Sequence, residues 1–381
     1  MAAVRVVPVT NRWLERQFLD LPSSLYASYP NWVPRLRSSE KELCGFKKHA
    51  FNDTAQSVAF VACRGEQVCG RILAIDNSIH NKTHPNESVG FVGFYESVDD
   101  DDVAQALFSA SEDWLHQRGL KSVRGSVSPS MNYEAGLLID GFEHMPSFMM
   151  PYNPEHYAGL WSRAGFEKVQ DLFAFRGNQE IYDAAVRPMA IAAQAADRFG
   201  ATFRQIDRRN FVAEVQEFLK LFNAGSAGTW GFVPFSDSEI NQLAGELRFL
   251  IIPELTSFMC VGGKIAGAVF GLQDYNPIVK RIRGRLFPLG FLSLLWGRRK
   301  IKRSRMMSIN ILPQYQRWGL GICLLDQFLK QGSRLGIRDV EFSYVLESNH
   351  LAASTLANGG NIREKTYRIF EKRIEASGPV E

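Results

Sequence analysis

No apolar run in this chain approaches the roughly 18 residues that a membrane-crossing helix needs. The opening stretch, MAAVRVVPVTNRWL, has no apolar h-region, so a signal peptide is not expected either. Cysteine is scarce and odd in number: Cys44, Cys63, Cys69, Cys260 and Cys323 show neither CxxC nor His-rich spacing. That pattern offers no metal ligand set and no disulfide framework, and it fits a reducing cytoplasm. Acids are missing altogether between Tyr275 and Leu325, where eleven Lys or Arg stand. The remainder holds 33 basic against 40 acidic residues, so the formal charge of +4 conceals a local basic segment in an otherwise acidic chain.

What is present is length for two cores. A chain of 381 residues, 45% hydrophobic and 12% aromatic, predicts two domains of about 150–200 residues. Self-similarity supports this. FVACRGEQVCGRI (60–72) and FMCVGGKIAGAVF (258–270) both read strand, glycine turn, strand, and Gly65 to Gly262 is an offset of about 197. HQRGLKSVRGSV (116–127) and SRLGIRDVEFSY (333–344) read helix end, glycine, strand, at an offset of about 217. SRAGFEKVQDLFAF (162–175) and ANGGNIREKTYRIF (357–370) repeat helix, glycine, strand at about 195. Two copies with one insertion each, near 128–150 and near 276–304, explain the changing offset. The expected division is 1–178 and 179–381, with an α/β architecture in which helices cover a mixed sheet.

In the second copy the strand-like RSRMMSINI runs straight into LPQYQRWGLG and the helix LGICLLDQFLKQG. That helix would carry Ile322, Leu325 and Leu329 on one face, with Leu324 and Phe328 beside it. A glycine loop between a strand's end and a helix's start aims several N–H groups at one spot, with the helix dipole behind them. A pyrophosphate fits there. The first copy has DDDDV (99–103) at the equivalent place, which caps a helix well and repels phosphate.

Gln316, Gly319 and Gly321, with Pro313 and Tyr315 leading in and Asn349 through Gly360 following, resemble the signature of the GNAT superfamily of acyl-CoA N-acyltransferases. The resemblance covers the whole chain as a tandem pair of GNAT-like domains, the first degenerate and the second catalytic. It implies that the backbone of Arg317, Trp318, Gly319, Leu320, Gly321 and Ile322 holds the pyrophosphate of acyl-CoA. The strand near Ile311 would pair with the pantetheine, and Asn349 would help to hold that arm.

Attack of a neutral amine on a thioester needs a base more than an acid, because a thiolate leaves readily. Glu347, at the end of VEFSYVLE, is the favoured base and Asp274 the second candidate. The tyrosine acid common in GNAT members falls at Leu356 here, leaving Tyr367, Tyr344 and His350 as substitutes. Trp230 and Phe232, in GTWGFVPFS, would line the acceptor pocket.

The segment VKRIRGRLFPLGFLSLLWGRRKIKRSR (279–305) sets an apolar stretch, Leu286 to Trp296, between basic flanks. It is too short to span, and it suits an anionic membrane surface as well as a buried hairpin. No recognition module accompanies it, so nucleic acid is not an expected partner. The tandem form also resembles bacterial GNAT-type proteins that include ceramide synthases, which implies a long-chain acyl donor and a sphingoid or similar lipid amine. Acetyl transfer to a small soluble amine or peptide, and a non-catalytic acyl-CoA-binding or scaffold role, remain open. The expected location is cytoplasmic, with peripheral attachment to the inner face of the membrane as the lipid reading.

Overall fold

The computed structural model describes residues 2–374, apart from the side chains of residues 186–189 and 317. Its two compact units are not contiguous in sequence, so a single cut at 178/179 does not describe them. One holds the chain up to Asp171, the segment Ile278–Ser293 and the chain from Lys365; the other holds Leu172–Pro277 and Leu294–Glu364.

The first unit contains strands β1 (Val4–Pro8), β2 (Ala55–Arg64), β3 (Gln67–Asn77), β4 (Val89–Ser97), β5 (Ser122–Gly125), β6 (Val127–Ser128), β7 (Glu134–Ala135) and β8 (Leu137–Asp140). Its helices are α1 (Arg12–Leu25), α2 (Arg37–Leu43), α3 (Ser78–Thr83), α4 (Asp101–His116) and α5 (His156–Arg163). Strands β1 to β5 lie in chain order, with only β4 and β5 parallel. Helix α4 buries Val103, Leu107, Phe108 and Leu115 on the sheet, where Trp161 of α5 meets Phe108 edge-on with centroids 5.0 Å apart. Beside this core sits a buried charge cluster. Glu96 of β4 accepts from Tyr26 (2.6 Å) and Tyr157 (3.0 Å), while Arg71 of β3 reaches Glu40 of α2 (2.9 Å) and lies over the Phe18 ring. Burial raises the Glu96 pKa even against the pull of Arg71 and Arg35.

The second unit begins within β9 (Glu167–Asn178) and continues with α6 (Gln179–Ala184), α7 (Val186–Arg198), β10 (Ala201–Gln205), α8 (Phe211–Gly225) and α9 (Asp237–Leu247). Strands β11 (Thr256–Val261) and β12 (Lys264–Gln273) form a hairpin through Gly262 and Gly263, both at positive φ as this tight turn requires. After the insertion come β13 (Arg303–Ile311), α12 (Gly321–Arg334), β14 (Asp339–Leu346), α13 (His350–Asn358) and β15 (Ile362–Arg373). The sheet order is β9-β14-β13-β12-β11-β10, with only β13 and β14 parallel.

The closing strands are exchanged. β5 of the first unit pairs with β15, Gly125 opposite Phe370, although β15 follows α13 of the second unit in sequence. β14 of the second unit pairs with β9, Phe342 opposite Phe175, although β9 follows α5 of the first.

The insertion folds as α10 (Asn276–Arg281) and α11 (Gly290–Gly297) with a turn between them. The turn is held by the first unit: Arg37 N–H donates to Gly284 O (3.0 Å), and a Cβ on Gly284 would strike Arg35 O. Phe287, Leu289, Leu292 and Trp296 nevertheless face solvent, Phe287 at 82% exposure and Trp296 at 74%. This is a helical projection, not a buried hairpin. Among the described residues no helix is long and apolar enough to cross a membrane.

Candidate active site

β13 stops where Pro313 removes a backbone donor and begins a 3-10 turn, Pro313–Trp318. Gly319 ends that turn at φ +72°, a left-handed conformation that side chains disfavour. Leu320 is fully buried and anchors α12, but as its N-cap residue it supplies no side-chain acceptor. The first N–H groups of α12 are therefore uncapped, at the positive end of the dipole. A Cβ on Gly319 or Gly321 would meet nothing within 4 Å, so open space lies before the loop. The geometry is that of an anion site.

Side chains brace this loop from behind. Trp318 stacks on Phe199 at 4.6 Å and meets Tyr315 edge-on at 5.1 Å. Gln316 Nε2 donates to Ile311 O (3.1 Å) and Gly225 O (3.3 Å), fastening the loop to the end of β13 and to α8. Gln316 thus positions the loop. The Arg317 side chain lies outside the described residues, and Ile322 is half-buried just inside α12.

β13 and β14 pair only from Arg303–Asp339 to Met306–Phe342 and then part, leaving the β14-facing edge of β13 open up to Ile311. The first unit differs at both matching places. Asp100 caps α4, accepting from Asp102 N–H (3.0 Å) and Val103 N–H (3.2 Å), so a carboxylate of the chain itself fills the anion position. Beyond the last β4–β5 pair, Val92–Gly125, strand β6 lies in the gap: Phe94 N–H donates to Ser128 Oγ (2.9 Å), and a Cβ on Gly93 would come within 2.0 Å of Val127 O.

Glu347 is half-buried one residue beyond β14. Asn349 caps α13, its Oδ1 accepting from Ala352 N–H (3.1 Å). Asp274 is buried, accepts from Asn276 N–H (3.1 Å) and faces Arg303 at 3.8 Å, so it is engaged in holding the end of β12. Tyr367 is fully buried opposite Leu138, on the portion of β15 that belongs to the first unit. Trp230 and Phe232 are half-buried in the turn after α8, with Phe232 6.1 Å from Phe222. Nearby, Ser226 Oγ donates to Asn310 Oδ1 (3.0 Å), linking that turn to the open half of β13.

A buried ionic layer lies at the paired end of the strands. Arg303 reaches Glu341 (3.2 Å) and Glu364 (3.3 Å) besides Asp274, and Ser343 Oγ donates to Glu341 (2.9 Å) while accepting from Arg305 Nε (2.9 Å). Burial alone would pull the Arg303 pKa down, but the three carboxylates push it above the ordinary arginine value. This layer was not expected from sequence. Its signal is period-two polarity inside strands, Arg303 with Arg305 and Glu341 with Ser343, which puts each pair on one face.

No family model matches the chain. It is 31% identical to the bacterial ceramide synthase of Caulobacter vibrioides over 98% of both chains. It is 30% identical to protein YghO of Escherichia coli K12, over 94% of this chain and 93% of that one. Among solved structures, a tandem GNAT protein from the clavulanic acid biosynthesis pathway superposes with a TM-score of 0.58 at 11% identity, covering 98% of this chain and all of that one. A GCN5-related N-acetyltransferase from Sphaerobacter thermophilus gives 0.54 at 12% identity, covering 99% and 98%. The chain shares its fold with a tandem GNAT protein, and its end-to-end match to the first of these relatives places it in the N-acyltransferase family of the bacterial ceramide synthase.

Proposed function

We propose that the protein transfers a long-chain acyl group from acyl-CoA to the amine of a membrane-borne acceptor, a sphingoid base or similar lipid, with the chemistry in the second unit and the first unit silent. The carrying observation is the contrast between the two anion positions: α12 is uncapped before open space, whereas α4 is capped by Asp100. In this reading the N–H groups of 317–322 hold the pyrophosphate, and the open edge of β13 near Ile311 receives the pantetheine. An N–H on that edge can steady charge developing on the thioester oxygen. Asn349 acts through the first turn of α13, which it caps, and Trp230 with Phe232 lines the acceptor side.

The reaction forms an amide C–N bond and breaks the C–S bond, and the amine's proton must leave. Glu347 is assigned as the base; Asp274 is tied into the ionic layer and Tyr367 is sealed in the first unit's core. The lipid part of the reading draws support from the exposed Phe287, Leu289, Leu292 and Trp296 among basic residues, and from the name of the Caulobacter relative.

An assay offering acetyl-CoA and hexadecanoyl-CoA with sphinganine, and with soluble amines, tests this by product mass. The expected product is the long-chain amide of sphinganine. Glu347→Gln should lower kcat about 10²-fold or more, the usual contribution of a general base. Acetylation of soluble amines at full rate, with sphinganine untouched, would refute the lipid reading.

A further inference from the structure

We infer that an apolar cavity between α12 and α13 holds the hydrocarbon chain of the donor. The inference rests on the acyl-CoA reading above and adds where the acyl group goes.

The cavity has a volume of about 260 Å³. One wall is the stripe Ile322, Leu325 and Leu329 of α12, spaced to share a face. These three are only half-buried, while Cys323 and Leu324 fill the core beneath and Phe328, itself buried, also lines the cavity. The stripe therefore packs against the edge of the core and at the same time lines the cavity. Leu356 of α13 lines it too. Tyr182 joins the wall, its phenol pushed up to about 12 by burial and the nearby Asp326. Among the described lining residues only Arg338, just before β14 begins, is charged. The cavity is partly open to solvent, and its mostly apolar lining gives water few hydrogen-bond partners. A cavity of this size and lining suits a hydrocarbon.

Its position selects which hydrocarbon. Phe342 lines the cavity and is also the last β14 residue paired with β13, opposite Met306. A pantetheine that starts at the loop and follows the open edge of β13 arrives at that point of parting. The acyl carbon then lies above the cavity mouth. From Ile322 to Ser333 the lining extends about 16 Å along α12 at 1.5 Å per residue, far more than an acetyl group could occupy.

Calorimetry with CoA and with dodecanoyl-CoA below its micellar concentration tests this without any acceptor. The wild-type protein should bind dodecanoyl-CoA at least about tenfold more tightly than CoA, from the buried methylenes. Leu325→Trp and Leu329→Trp fill the space, and each should bring the two affinities to within about threefold while leaving CoA itself little changed. A preference as strong as wild type in both variants would overturn the inference. So would parallel loss of CoA and dodecanoyl-CoA, which would assign the cavity to the nucleotide half of the ligand. If the tryptophan variants lack a native melting transition, Leu329→Ala decides: an enlarged cavity should shift the tightest-binding chain length upward, and an unmoved optimum rejects the idea. Failure of CoA to bind the wild-type protein would instead sink the acyl-CoA reading, and this inference with it.

Discussion

Gly319 and Gly321 stand two residues apart and answer to different demands. A side chain at Gly319 strains a left-handed backbone, at roughly 1–2 kcal/mol. At Gly321 it meets only open space. Gly321→Val should therefore leave the melting temperature within a few degrees while weakening CoA binding at least about tenfold, measured by calorimetry; unchanged affinity would remove the loop from the ligand site. His80 makes a separate prediction about pH. Burial lowers its pKa to about 4, outweighing the hydrogen bond it donates to the Glu87 carboxylate. Between about pH 6.5 and 4 the unfolded chain then binds more protons than the folded one, so stability falls as pH falls through that window and is insensitive to this residue above it. Melting curves from pH 7 to 4.5 should show the loss, and His80→Gln should flatten it. The glycine turn that leads into α12 could be read from sequence because it is built from a few contiguous residues. The Glu96–Arg71–Glu40 cluster could not, since its members come from β4, β3 and α2 and meet only after folding.

At the scale of elements, the repeat of strand, helix and glycine was legible through local periodicity and turn chemistry. The stripe on α12 was legible as apolar, but sequence does not distinguish a core face from a cavity wall. The insertion shows the same limit: its composition suited a membrane surface and a buried hairpin alike, and only the exposure of particular residues separates them. The exposed positions are Phe287, Leu289, Leu292 and Trp296, with Leu294 turned inward. Flanking cations contribute about 1 kcal/mol each near an anionic bilayer, and apolar tips add insertion into the headgroup layer. Phe287→Asp with Leu289→Asp should abolish sedimentation with phosphatidylserine-containing vesicles without changing CoA affinity. Salt should release the wild-type protein, because exposed charges are screened within about 10 Å at 0.1 M. Vesicle binding that survives both treatments would rule out this projection as the contact.

For the whole molecule, the exchanged strands β9 and β15 matter more than the expected boundary at 178/179. Residues 1–178 expressed alone should leave β5 without its partner, and residues 179–381 should leave β14 without Leu172–Asn178. Each half presents an open edge, a known route to aggregation. Neither half should give a cooperative melt by itself, and co-expression should recover soluble protein. Two independently folded halves would contradict the exchange. The exchange also dictates an order of events during synthesis. About 190 residues separate Asp171 from Lys365, and at 5–20 residues per second translation needs roughly 10–40 s to cover them. Throughout that interval the half made first must wait, its β5 edge unsealed, while the half made later already has its borrowed strand in hand. The unit that emerges first from the ribosome is thus the last to be completed, and β5 is the surface a chaperone would have to guard.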